Sequence, residues 1–156
     1  MFPTYQTILC CHGLGPRAPD VLRHAFGLAR AYGGKVVVVH SEEPVNPQIQ
    51  RMLRRHLPSD TMRKAREDLR RESFDEISRQ VREIPDGAGT TNLREVRVVE
   101  GAPAETLLEV AREVGADLIV MGAHRHTTIG ELLLGSTAHR VAQRAPVPVF
   151  LVRLTE

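Results

Sequence analysis

The chain has no tryptophan, two tyrosines and four phenylalanines, so it offers few aromatic platforms on which nucleic-acid bases could stack. A polyanion-seeking charge is missing too. The 21 basic and 19 acidic side chains leave a formal net charge of +2, without the electrostatic footprint of a nucleic-acid binder. Its two cysteines, Cys10 and Cys11, are adjacent, which excludes a disulfide framework and a C-x-x-C zinc module and predicts reduced thiols. No apolar run reaches the roughly 18 residues of a membrane-crossing helix. The opening Met1-Phe2-Pro3-Thr4-Tyr5 lacks the basic and apolar stretches of a signal peptide. These absences predict a soluble, cytoplasmic protein with neither nucleic acid nor membrane as a partner.

What is present fits a single domain spanning residues 1–156, with 42% hydrophobic and 26% charged residues. There is no internal repeat and no low-complexity tract. Thr7 to Cys11 reads as a buried strand that runs into the turn-rich His12-Gly13-Leu14-Gly15-Pro16. Val21, Ala25, Leu28 and Tyr32 follow at helical spacing, with the helix starting at Pro19 and ended by Gly33-Gly34. The β-branched run Val36 to Val39 has no polar alternation, as expected of a parallel strand covered on both faces.

Between Pro44 and Asn92 the chain is polar and arginine-rich. Met62, Ala65, Leu69, Ile77, Val81 and Ile84 nevertheless predict one long amphipathic helix that Ser59 caps. Residues 51–83 carry ten basic and seven acidic side chains, spaced to pair along the helix as a solvated face. Asp86 to Thr91 reads as a loop. Thereafter come a strand from Leu93 to Val99, a helix opened by Pro103 and ended by Gly115, a strand from Asp117 to Gly122, a loop, a helix from Ser136 to Arg144, and a last strand from Val147 to Val152. Five strands alternating with helices predict an open, mainly parallel five-stranded α/β sheet with helices on both faces. Ligands of such Rossmann-like three-layer sandwiches bind beyond the C-terminal strand ends, where strand order reverses.

Two glycine-bearing loops follow predicted strands. Gly13-Leu14-Gly15-Pro16-Arg17-Ala18 matches the permissive dinucleotide fingerprint, with Glu42 or Glu43 where a ribose-binding acid would stand. Pro16 and Pro19 argue against it, because they would fall in the opening turns of the helix that the fingerprint requires. An oxidoreductase reading therefore ranks last. The second loop runs from Gly122 to Thr137, and its glycines, Ser136 and Thr137 suit an anion at a helix N-terminus. The bland alternative is that Gly122 ends a strand and Ser136 caps a helix. Cys11, His12, His40, His124 and His126 lie at or beyond strand ends but lack a metal-ligand spacing, so no metal is expected. Ser136 lacks a nucleophile elbow, and no catalytic residue is assigned.

Val99-Glu100-Gly101-Ala102-Pro103-Ala104-Glu105, Ala116 to Gly122, Leu134-Gly135-Ser136 and Pro146-Val147-Pro148-Val149 together resemble the universal stress proteins. The likeness covers nearly the whole chain except its middle. It implies the adenine-nucleotide alpha-hydrolase-like version of the fold and a stress-response binding protein. It also implies a pocket for ATP or AMP and a homodimer joined through Val147 to Val152. In nucleotide-binding members the loop G-x-x-G-x9-G-S/T wraps phosphates and ribose; Gly122, Gly135 and Ser136 match it, Ala123 and His124 fill the variable places, and Thr137 follows. Cys11, Gly13 and Ser41 become the base-side lining.

Two positions depart from this pattern, leaving the ATP motif incomplete. Arg125 replaces the second glycine and either obstructs the phosphate path or pairs with a phosphate. Gly13 replaces an aspartate that helps hold the nucleoside, a loss of about 1–3 kcal/mol of binding. The rival reading is an interaction protein with a vestigial pocket.

Overall fold

Ile8, Leu9 and the whole run Val36 to Val39 have no exposed surface, the condition of strands enclosed between two helical layers. The computed structural model describes residues 1–123 and 134–154. Strands β1 (Thr7–Cys11), β2 (Lys35–Glu42), β3 (Leu93–Glu100), β4 (Leu118–Ala123) and β5 (Val149–Arg153) form one sheet in the order β3-β2-β1-β4-β5. Every pairing is parallel.

Because side chains alternate along a strand, the core is split in two. Ile8, Cys10, Val36, Val38 and Val120 pack with Phe26 of α1 (Ala18–Tyr32) and with Ile77 and Val81 of α3 (Ser59–Arg82). Leu9, Cys11, Val37, Val39 and Ile119 pack on the other side with Leu107 of α5 (Pro103–Val114) and Val141 of α6 (Ser136–Arg144). The adjacent cysteines therefore belong to different layers. No described helix is long and apolar enough to cross a membrane.

The expected elements are present, and the differences have local causes. Helix α1 starts at Ala18 rather than Pro19, with Arg17 as its N-cap residue. Gly33 ends it in the left-handed conformation at φ 69°, as the Gly-Gly pair predicts. The last strand begins at Val149, not Val147, and the Pro148 carbonyl instead accepts from Ile119 N–H at 3.0 Å.

The middle departs further. Ser59 is not the cap of α3: Pro58 stands at that place and Ser59 is the first helical residue, with no side-chain cap bond. Only the C-terminal part of the expected stripe is buried, at Ile77, Val81 and Ile84, whereas Leu69 is 55% exposed. A separate helix, α2 (Pro47–His56), precedes α3; the sequence reading missed it. The segment expected to be a loop folds into a 3-10 turn (Pro85–Gly87) and α4 (Ala88–Thr91). There Ala88 is buried and Gly89 lies so close to the Val81 carbonyl that a side chain would collide with it.

Gly34 sits at a second close approach, where an added Cβ would strike the Tyr5 carbonyl and lie 3.0 Å from that of Gln6. Lys35 N–H donates to the same Gln6 carbonyl at 2.9 Å, which sets the entry of β2 beside β1. We expect Gly34→Ala to destabilise the protein by about 1–3 kcal/mol through overpacking. Gly27→Ala, in α1 with no atom within 4 Å of the new methyl, should stabilise it by about 0.5–1 kcal/mol. Urea midpoints of the two variants check both signs.

Candidate functional site

From β1 the chain crosses to β2 and then β3, whereas β4 and β5 lie on the other side of β1. The connections leaving β1 and β4 therefore diverge, and a crevice opens over their C-terminal ends. The cleft found there has a volume of about 540 Å³. Its walls combine Cys11 and Gly13 from the end of β1, Ser41 from β2, Gly122 from β4, and Gly135, Ser136 and Thr137 at the start of α6. The structure thus brings together seven of the residues singled out in the sequence. Ala123 is instead 1% exposed and does not line the cleft; its carbonyl accepts from Leu154 N–H at 3.4 Å. His124 and Arg125 lie outside the described residues.

Each glycine has its own local reason. A Cβ on Gly122 would come within 2.8 Å of Leu154 Cδ1 and 3.4 Å of Val21 Cγ2, so any side chain there would have to push Leu154 aside. Gly13 is different: an added Cβ meets nothing within 4 Å. Gly135 is the N-cap residue of α6 and Ser136 its first helical residue, with no side-chain cap bond. Gly135 has no side chain with which to cap the helix, and the first-turn N–H groups carry a partial positive charge at the cleft. A smaller hollow of about 290 Å³ adjoins this end and shares Ser136 and Thr137 with Glu43, Glu105 and Arg140. Arg144 and Arg140 reach Glu105 at 3.3 and 3.9 Å.

His12 organises the opposite wall. It is 3% exposed, and its Nδ1 accepts from Leu14 N–H at 3.1 Å. That leaves the proton on Nε2, which donates to Gln80 Oε1 at 2.9 Å. The Gln80 amide in turn donates to Glu76 at 2.7 Å, whose carboxyl is lowered to about 2 by hydrogen bonds from Arg79 and then Gln80. Burial pushes the His12 imidazole below its ordinary value and His40 nearby adds to this; the Gln80 bond and Glu76 act oppositely but more weakly in sum. The His12 bond also holds Leu14 in the left-handed region at φ 57°, a conformation that costs a non-glycine residue about 1–2 kcal/mol. His40 Nδ1–H donates to the His12 carbonyl at 2.7 Å and lines the cleft as well.

The sequence reading weighed His12 only as a metal ligand and missed both Gln80 and Leu154. Gln80 lies 68 positions away from His12, and Leu154 follows the last strand, so neither carried a local signal. Among the described residues no three His, Cys, Asp or Glu side chains are grouped to hold a metal. Burial raises the Cys11 thiol to about 12, so it is neither a thiolate ligand nor a ready nucleophile.

Known proteins share this fold. A universal stress protein of Thermus aquaticus is 32% identical over 154 residues, covering 96% of this chain and 99% of that one. The solved structure of MJ0577, a universal stress protein of Methanocaldococcus jannaschii, superposes with a TM-score of 0.75 at 22% identity, covering 99% of both chains. A universal stress protein solved in complex with cAMP superposes at 0.63 with 26% identity, covering 98% of this chain and all of that one. The universal stress protein family profile spans residues 4–153, and the chain belongs to that family.

Proposed function

We propose that the protein binds an adenine nucleotide in this cleft, with the base toward Cys11 and Ser41 and the phosphate at the N-terminus of α6. The observation that carries the reading is the pairing of a helix end with glycine at its N-cap, followed by Ser136 and Thr137, with an apolar-lined recess at Cys11 and Met121 in one cavity. The relative in complex with cAMP supports it. Binding, rather than catalysis, is the role proposed: His12 has both ring nitrogens engaged and Cys11 stays protonated, which removes two candidates for base and nucleophile. No metal enters this scheme. Oligomerisation belongs to the proposal too, because the outer side of β5 pairs with no strand among the described residues. Phe150 on that strand is 39% exposed, and a second copy that pairs with β5 would cover the edge.

Calorimetry with ATP, AMP and cAMP tests the site. An added Cβ at Gly13 meets nothing within 4 Å, and Gly13→Asp combined with Arg125→Gly restores the family pattern at both departures. That variant should bind ATP at least tenfold more tightly than the wild type, a change of about 1.4 kcal/mol. Equal affinities would show that these positions do not control the site. No binding of any of the three nucleotides by either protein would overturn the reading.

The His12 bonds add a pH dependence. The folded state holds the imidazole below its ordinary value of 6.5, so on acidification the unfolded chain takes up this proton first. The stabilisation is present above that ordinary value and is lost as pH falls through the lowered folded one. Protonation would also place a proton on Nδ1 against Leu14 N–H. Melting temperatures between about pH 7 and about pH 5 should fall more for the wild type than for His12→Gln; parallel curves would refute the assignment. Light scattering at micromolar concentration should give about twice the 17.4 kDa chain mass, and a 17.4 kDa species alone would refute the dimer.

A further inference from the structure

Residues 44–72 contain no buried side chain, although they run through all of α2 and the first half of α3. On α2, Ile49, Met52 and Leu53 recur at the i, i+3, i+4 spacing of one helix face. Ile49 is 47% and Met52 56% exposed, and Leu57, just beyond the helix, is 41% exposed. Arg51, Arg54 and Arg55 occupy the opposite face at the same spacing. No carboxylate among the described residues lies within ion-pair distance of these three arginines, whereas Arg63, Arg71 and Arg79 of α3 are paired with Asp60, Asp68 and Glu76. From Pro44 to Ser59 the sequence has no acidic residue at all. A ten-residue helix without a packed face is marginal in water, so this apolar stripe calls for a cover that is also negatively charged.

We propose that α2 docks on an anionic lipid surface, with Ile49, Met52 and Leu53 at the boundary of headgroups and acyl chains and the three arginines reaching headgroup phosphates. A second copy is a poorer occupant, because packing α2 against itself through the stripe would cover the apolar residues but leave the three arginines, on the far face, still without a carboxylate. The expectation of no membrane partner rested on the lack of a spanning run and a signal peptide, and a helix lying in the interface needs neither.

Cosedimentation of the full chain with vesicles tests this. The protein should pellet with mixed phosphatidylcholine–phosphatidylglycerol vesicles, not with phosphatidylcholine alone, and should be released as salt rises. Ile49→Ser/Met52→Ser and Arg54→Gln/Arg55→Gln should each weaken binding by about tenfold or more. Melting temperatures should stay unchanged, since none of the four residues is buried. Failure to pellet, equal binding to neutral vesicles, or equal binding by the variants would overturn the proposal. So would an oligomer that these substitutions dissociate, which would assign the stripe to a second copy.

Discussion

Burial of β1 and β2 on both faces is the constraint from which the rest of the molecule follows. A strand such as Val36 to Val39, with no exposed surface on either side, needs a helix layer above and below. Parallel neighbours in turn need crossover connections, and these supply the helices. Starting in the middle of the sheet, the chain fills one side and then the other. The cleft is the gap that this reversal leaves, and its lining residues are near one another because five strands end along the same rim.

Within that frame the two walls of the cleft are held by different physics. The α6 wall depends on backbone polarity: N–H groups at a helix start whose N-cap residue, Gly135, has no side chain to cap them. On the β1 side the wall depends on a side-chain relay, from Leu14 through His12 and Gln80 to Glu76. That relay ties the loop after β1 to α3, so the loop's strained Leu14 is stabilised from a distant part of the sequence.

How far the sequence could be read follows from this difference. Unbroken apolar runs and glycine stops are local, and they mark β1, α1 and α5 within about a residue or two of their ends, whereas β2 runs on through His40, Ser41 and Glu42 beyond its valine run. Gly122 and Ser136 were legible as cleft residues because a family pattern and element-end positions converge on them, and Ser41 from its place at a strand end. His12's partner was not legible, since a hydrogen bond between residues 68 apart leaves no periodicity. The stripe on α3 misled for a related reason: Met62, Ala65 and Leu69 have the spacing of a buried face, but on α3 only Ser73, Ile77 and Val81 are buried. Helix α2 went unseen because its one apolar face is short and unburied.

The placement of Cys10 and Cys11 on opposite faces of the central strand has a chemical consequence. Each thiol is raised above its ordinary value by burial, and the sheet stands between them as a partition. An oxidant meets neither sulfur as a thiolate, and the pair cannot close on itself while β1 keeps its neighbours on both sides. Cys11 borders the cleft, but reactivity of Cys10 toward a thiol reagent is a property of the opened chain, and its rate of labelling acts as a clock for the rupture of the middle of the sheet.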